Sequence, residues 1–149
     1  MADTHNGPDT NHQTNDALGP NRGVTPHLCV ADGRAADAIT FYTAAFGAVE
    51  MARIPADDGK RLIHAHLVIN GASIMLNDDF PEYSGGAYTP PGAITLHLQV
   101  DDADSWFNRA VDAGCVITMP IGDQFWGDRY GQLRDPFGFT WSIGSTPGQ

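Results

Sequence analysis

Four of the six histidines stand in stretches that alternate like β-strands: His27 after Thr25-Pro26, His64 and His66 on either side of Ala65, and His97 inside Thr95-Leu96-His97-Leu98. Imidazole titrates near neutral pH and in its neutral form ligates divalent ions, so such a set could move protons or hold a metal. Each could equally sit singly on a wet sheet face or hydrogen-bond across strands. The run Phe125-Trp126-Gly127-Asp128-Arg129 is a second candidate. Aromatic rings beside glycine offer a stacking platform, and Arg129 either fixes a polar ligand group or pairs with Asp128. No Ser-His-Asp order, nucleotide-type glycine loop or zinc-type cysteine spacing accompanies them. Cys29 and Cys115 are the only cysteines, each set in apolar sequence, and read as reduced, packed thiols.

The elements that must position these groups come in two copies. Thr25-Pro26-His27-Leu28-Cys29-Val30-Ala31-Asp32 matches Thr95-Leu96-His97-Leu98-Gln99-Val100-Asp101-Asp102 at Thr, His, Leu, Val and Asp, which signals an internal repeat. Each copy alternates like a half-buried strand and ends at an Asp suited to cap a helix. Ala103, Trp106, Phe107, Ala110 and Val111 then fall on one helical face, with Gly114 as the stop. Ala35, Ala38, Ile39, Tyr42, Ala45 and Phe46, stopped by Gly47, form the counterpart. The first copy carries about three more residues between Asp and Gly, which predicts one extra helical turn. Strand signals follow at Val49 to Ile54, Arg61 to Ile69 and Ala72 to Leu76, and in the second copy at Val116 to Met119, Tyr130 to Arg134 and Phe139 to Ile143. Asn70-Gly71 and Asp135-Pro136-Phe137-Gly138 supply tight turns. The prediction is α+β, two tandem βαβββ modules at about 24–77 and 93–145 within one domain, 24–145. Loops are expected at Asp78 to Gly92 and Ile121 to Asp128. Residues 1–23, rich in Asn, Asp, Thr, Gly and Pro, read as a disordered tail, with His5 and His12 solvated in it.

Each helix must cover one sheet face, so the more aliphatic strand phase should point toward it. That assigns Leu28, Val30, Ile63, Ala65, Leu67, Ile69, Leu96 and Leu98 to the helix side. The opposite face receives Thr25, His27, Cys29, His64, His66, Val68, Ser73, Met75, Thr95, His97, Gln99, Thr140 and Ser142. If the sheets curl side by side, this face becomes a cleft with mixed walls suited to a small ligand.

The run from Ala38-Ile39-Thr40-Phe41-Tyr42 through Ala45-Phe46-Gly47-Ala48, the His64-Ala65-His66 strand, Thr95-Leu96-His97-Leu98, and Met119-Pro120 through Asp123 to Gly131 with Arg134 to Gly138 resemble the PhnB-like branch of the vicinal-oxygen-chelate superfamily. The resemblance covers about residues 24–145 and implies the glyoxalase/bleomycin-resistance fold, with a curved mixed sheet around a cleft. In metal-using relatives it would imply four ligands, and the matching positions here are Thr25, Met75, Thr95 and Ser142. Hydroxyls and a thioether do not retain Zn²⁺, Ni²⁺ or Fe²⁺, so no cofactor is predicted. The alternative is a divalent ion on His27 and His97, assisted by His64 or His66. Asp78, Asp79 and Glu82 in the linking loop could swing toward the cleft, and Tyr83 and Tyr88 could close over it. The resemblance also implies a homodimer, with a cleft made within one chain or across two.

A formal charge of −10, with only eight Lys and Arg, argues against nucleic acid and anionic membrane surfaces as partners. No apolar run approaches the ~20 residues of a membrane span and no secretory pattern opens the chain, so a cytoplasmic location is expected. The leading expectation is a small-organic-ligand-binding protein of the glyoxalase/bleomycin-resistance type, with the ligand against His27, His64, His66, His97, Met75, Phe125, Trp126 and Arg129. The alternative is a metal- or His-dependent lyase, isomerase or oxygenase using the same cleft.

Overall fold

A computed structural model of the chain describes residues 17–148. The first module runs β1 (His27–Val30), α1 (Ala35–Phe46), β2 (Val49–Pro55), β3 (Leu62–Ile69) and β4 (Ala72–Asp78). The linker holds one short helix, α2 (Pro81–Ser84), and the second module runs β5 (Thr95–Gln99), α3 (Ala103–Ala113), β6 (Val116–Asp123), β7 (Arg129–Arg134) and β8 (Thr140–Ser145). Each module forms its own four-stranded mixed sheet, ordered β1-β4-β3-β2 and β5-β8-β7-β6. In each, the first strand lies parallel to the fourth, and the remaining pairs are antiparallel hairpin neighbours. The two βαβββ modules expected from the repeat are thus both present. Among the described residues no helix is long and apolar enough to cross a membrane.

The helices start differently. Asp102 caps α3, its carboxylate accepting from Ser105 N at 3.2 Å, as the repeat predicts. Asp32 does not cap α1: it takes a left-handed φ of 62°, followed by Gly33 at 69°, and Arg34 occupies the cap position. The donor at the start of α1 is satisfied from across the sheet, where buried Asp78 accepts from Ala35 N at 2.8 Å and Leu62 N at 2.6 Å. The extra residues of the first copy are spent in this turn, so α1 has 12 residues against 11 in α3 rather than an added turn. Gly47 and Gly114 end the helices with positive φ and main-chain N–H groups bonded back to the last turn, as expected.

One core serves both modules. Leu28, Leu67 and Leu76 from the first sheet join Leu98, Leu133 and Ile143 from the second, together with Ala38, Ile39 and Phe46 of α1 and Phe107 and Ala110 of α3. Phe46 of α1 packs on Trp141 of β8 with ring centroids 4.5 Å apart. Beside it, Asp135 accepts four hydrogen bonds, from Tyr42 Oη (2.5 Å), Trp141 Nε1 (2.9 Å), Phe137 N (2.9 Å) and Phe139 N (3.0 Å). Burial pushes this carboxyl above the usual carboxylate range, while the four donors pull the other way. The Arg109 guanidinium of α3 adds a donor to the Ala44 carbonyl at the end of α1.

Three local expectations change. Ile63, assigned to the helix side, is 55% exposed, because the ladder slips between Ile54 and Pro55 and it is Leu62 that turns inward. Part of the loop expected from Ile121 is strand, since Gly122 and Asp123 pair with Tyr130 and Arg129 after two irregularities in β6. Of the tail expected at 1–23, residues 1–16 (His5 and His12 with them) lie outside the described residues. Ala17 to Gly23 are described, and their first residues lie against β3 and β4.

Candidate functional site

The face of the first sheet turned away from the helices carries His27, His64, His66, Ser73 and Met75. Register places Met75 between His27 on β1 and His66 on β3, and Ser73 opposite Val68. The His27 and His64 rings meet edge to face at 6.5 Å. His66 is almost fully buried: its Nδ1 donates to the Ala17 carbonyl at 2.8 Å, which leaves Nε2 to accept from the Ser73 hydroxyl at 2.9 Å. His64 Nε2 bonds the Leu18 carbonyl. Gly19 follows so closely that a Cβ there would stand 3.5 Å from Met75 Sδ.

The corresponding face of the second sheet is organised around His97. Its Nε2 donates to Gln99 Oε1 at 2.8 Å, so its Nδ1 accepts from the Ser142 hydroxyl at 2.7 Å. Gly144 on β8 gives the ring its space, since a Cβ there would come within 3.1 Å of His97 Cε1. His97 stacks on Tyr130 with centroids 5.8 Å apart and planes 22° from parallel. Tyr130 meets Trp126 edge to face at 5.5 Å, and Trp126 meets Phe125 the same way at 5.1 Å. The outcome is a ladder of four rings that begins at a hydrogen-bonded histidine and ends on Phe125, whose side chain is 98% exposed. Tyr130 is the member the sequence reading left out. Period-two alternation along β7, which puts it on the same side as Gln132 opposite Ser142 and Gly144, carried that signal.

The other expected participants are distributed differently. Arg129 does not pair with Asp128: it makes a two-pronged bond to Asp104 of α3, 2.6 and 3.0 Å, and a third contact to Asp123 at 3.0 Å. This bonding holds the Asp104 carboxyl below its ordinary range. Asp78 is buried under the start of α1 and Glu82 is bonded to Arg61, so neither faces the histidines. Tyr88 reaches back to donate to the Cys29 carbonyl at 2.7 Å, while Tyr83 is exposed. Among the described residues, no hydrogen bond or ring contact joins the histidines of one sheet to His97 on the other.

Where the sheets approach, two pockets open. One of about 250 Å³ is lined by His27, Cys29, Tyr88, Ile94, Phe139 and Thr140. Another of about 360 Å³ is lined by Thr25, Ser73, Thr95, His97 and Trp141, among others. A third, about 500 Å³, lies apart beside Ile63, Phe80 and Tyr83, with the Arg61 guanidinium over the Phe80 ring at 4.3 Å. Burial, then Asp79 and Asp78, push the Cys29 thiol up, and burial pushes Cys115 to about 12.

The four positions that the family resemblance assigns to a metal do not fit one. The Ser142 hydroxyl is committed to His97, Met75 packs under Gly19, and Thr25 and Thr95 offer only hydroxyls. No group of three or more His, Cys, Asp or Glu side chains disposed to hold an ion occurs among the described residues.

A family model described as the Glyoxalase/Bleomycin resistance protein/Dioxygenase superfamily matches residues 25–143. An uncharacterized protein of Mycobacterium bovis is 49% identical over 133 residues, 86% of this chain and 86% of its own length. The crystal structure of PA1353 from Pseudomonas aeruginosa superposes with a TM-score of 0.70 at 26% identity, covering 85% of this chain and 98% of that one. The PhnB protein of Bacillus cereus gives 0.68 at 22% identity, covering 84% and 100%, a likeness of fold.

Proposed function

Because the chain belongs to the glyoxalase/bleomycin resistance protein/dioxygenase superfamily, we propose that it is a small-molecule-binding protein of that type, holding an apolar, partly aromatic ligand without the standard metal site. The observation that carries this is the ladder His97–Tyr130–Trp126–Phe125. Two of its rings are exposed at the outer end, where a planar molecule can extend the stack. The adjacent gap containing Thr25, Thr95 and Ser73 could take a substituent.

Acid–base catalysis, the alternative, meets a physical obstacle at His97. Both nitrogens of His97 are engaged, so a substrate proton could reach it only by displacing Ser142 or Gln99. Ser142 is 1% exposed and is not presented as a nucleophile.

A homodimer and a cytoplasmic location belong to the same proposal. The histidine faces are unconnected within one chain, and Val49, Met51, Val116 and Ile117 are exposed on the edge strands β2 and β6. A second copy would set one chain's first face opposite its partner's second face, and sedimentation at micromolar concentration reads the mass.

The test is a thermal-shift and Trp-fluorescence screen of aromatic compounds on chelator-treated protein, with metal analysis and added Ni²⁺, Zn²⁺, Mn²⁺ or Fe²⁺ in parallel. Stabilisation by an aromatic compound that is lost in Trp126→Ala supports the proposal. Stoichiometric metal released by His97→Ala, with no organic ligand found, overturns it in favour of an enzyme.

A further inference from the structure

The imidazoles of His64 and His66 do not face open space. Two residues apart on β3, they point to the same side and meet two successive main-chain carbonyls, Leu18 and Ala17 respectively. The contact reads peptide groups rather than side chains. Gly19 then lies over Met75, and Pro20 continues along the wall of the gap that Ser73 and His97 also line. His66 is fixed in one tautomer by this arrangement: the Ala17 carbonyl can only accept, so Nδ1 carries the proton while Ser73 donates to Nε2.

We propose that the His64/His66 face is a binding site for amide-type carbonyl groups and that Ala17–Gly19 is its intrachain occupant, a strap that must leave before another ligand takes that face. The inference does not rest on the aromatic ladder of the proposed function, which lies on the other sheet; the two readings meet only at Ser73, which lines the gap beside His97 and donates to His66. Two neutral hydrogen bonds are a weak hold in water, so the strap is displaceable. Its attachment through Pro20 to Pro26 nevertheless gives it a high local concentration, and an external ligand must compete against that. Among the described residues every core residue lies between Leu28 and Ile143, so Ala17–Gly19 contribute nothing to the packed interior.

The first measurement is the tautomer of His66 in the full chain by long-range ¹⁵N–¹H NMR. A proton on Nδ1 is expected; a proton on Nε2 with Nδ1 bare overturns the proposal by itself, whatever becomes of the shortened chain. The second adds an acetylated peptide of residues 17–23 (Ala-Leu-Gly-Pro-Asn-Arg-Gly) to the full chain and to the chain lacking residues 1–19. The peptide is expected to shift the His64 and His66 resonances of the shortened chain, to restore the Nδ1–H form, and to bind the full chain at least about tenfold more weakly. His66→Ala in the shortened chain should abolish the effect. Equal binding to both chains, or binding to neither, overturns the proposal. None of these signals depends on Trp126, so failure of the aromatic-ligand reading would leave them unchanged.

Discussion

Asp135→Asn is the most informative single change, because the carboxylate ties α1 of the first module to the β7–β8 turn of the second. All four groups that meet it are donors: Tyr42 Oη, Trp141 Nε1 and the Phe137 and Phe139 amides. An asparagine keeps the shape and one acceptor oxygen but turns an NH₂ toward two of those donors; where these are Tyr42 Oη and Trp141 Nε1, the hydroxyl rotates to accept and the indole N–H alone is left unpaired. Hydrogen bonds to a charged acceptor contribute about 1.5–3 kcal/mol each against about 0.5–1.5 for neutral ones, and one buried donor left without a partner costs a further ~1–3 kcal/mol. Removing a buried charge returns part of this, since burial already pushes the Asp135 carboxyl up. The net expectation is a loss of about 2–4 kcal/mol, or roughly 4–16 °C in Tm for a chain of this size. Urea unfolding followed by Trp fluorescence measures it as a lower midpoint with an unchanged slope. Tyr42→Phe in a double-mutant cycle should show coupling between the two residues. A variant within about 0.5 kcal/mol of the parent would refute the reasoning, since that is the range of an unremarkable surface change.

Gly131→Ala should destabilise by about 1–3 kcal/mol in the same urea assay, because the new Cβ would stand 2.8 Å from Phe107 Cε2 and 2.9 Å from the Ile121 main chain. Cys115, its thiol pushed up to about 12 by burial, should remain unalkylated by iodoacetamide at pH 8 in the native protein, as read by mass spectrometry. Bonds from the Arg61 side chain and from the Arg61 and Lys60 amides hold the Asp58 carboxyl at about 2. A depressed carboxylate contributes stability above its unfolded value and loses it as pH falls through the folded one, so this contribution disappears between pH 4 and 2. Arg61→Gln should move the Asp58 midpoint upward in a ¹³C NMR titration. Gly144→Ala, which crowds His97 Cε1 at 3.1 Å, should disturb the His97–Ser142 bond and change the His97 tautomer signals with little effect on the first sheet.

The repeat, the strand–helix order and the division of each strand into two faces were legible because they depend on local periodicity. Leu28 and Val30 point inward and His27 outward for reasons contained in eight residues. The same alternation placed His64, His66, His97, Met75 and Ser142 on the faces away from the helices. It failed at Ile63, where a slip in the β2–β3 ladder exchanges the roles of neighbours, and slips depend on the partner strand. The cap of α1 failed for a similar reason. The acceptor is Asp78, 43 residues from Ala35, and nothing near Asp32 marks it.

What the sequence by itself determined is the family, the two modules and the chemical character of each face, since period, turn residues and side-chain type are properties of short windows. The tertiary structure decided which of those side chains are available. Arg129 finds its partners in Asp104 of α3 and Asp123 rather than in Asp128, and the four candidate histidines fall into two separate groups. It also decided that Ala17 to Gly19, which contribute nothing to the core, lie on His64, His66 and Met75. Apart from Arg129 with Asp123, such pairings join residues 25 to 56 positions apart in the chain. Their cost and benefit arise only after the core has packed, when each polar group must find whichever partner the surrounding surface leaves within reach.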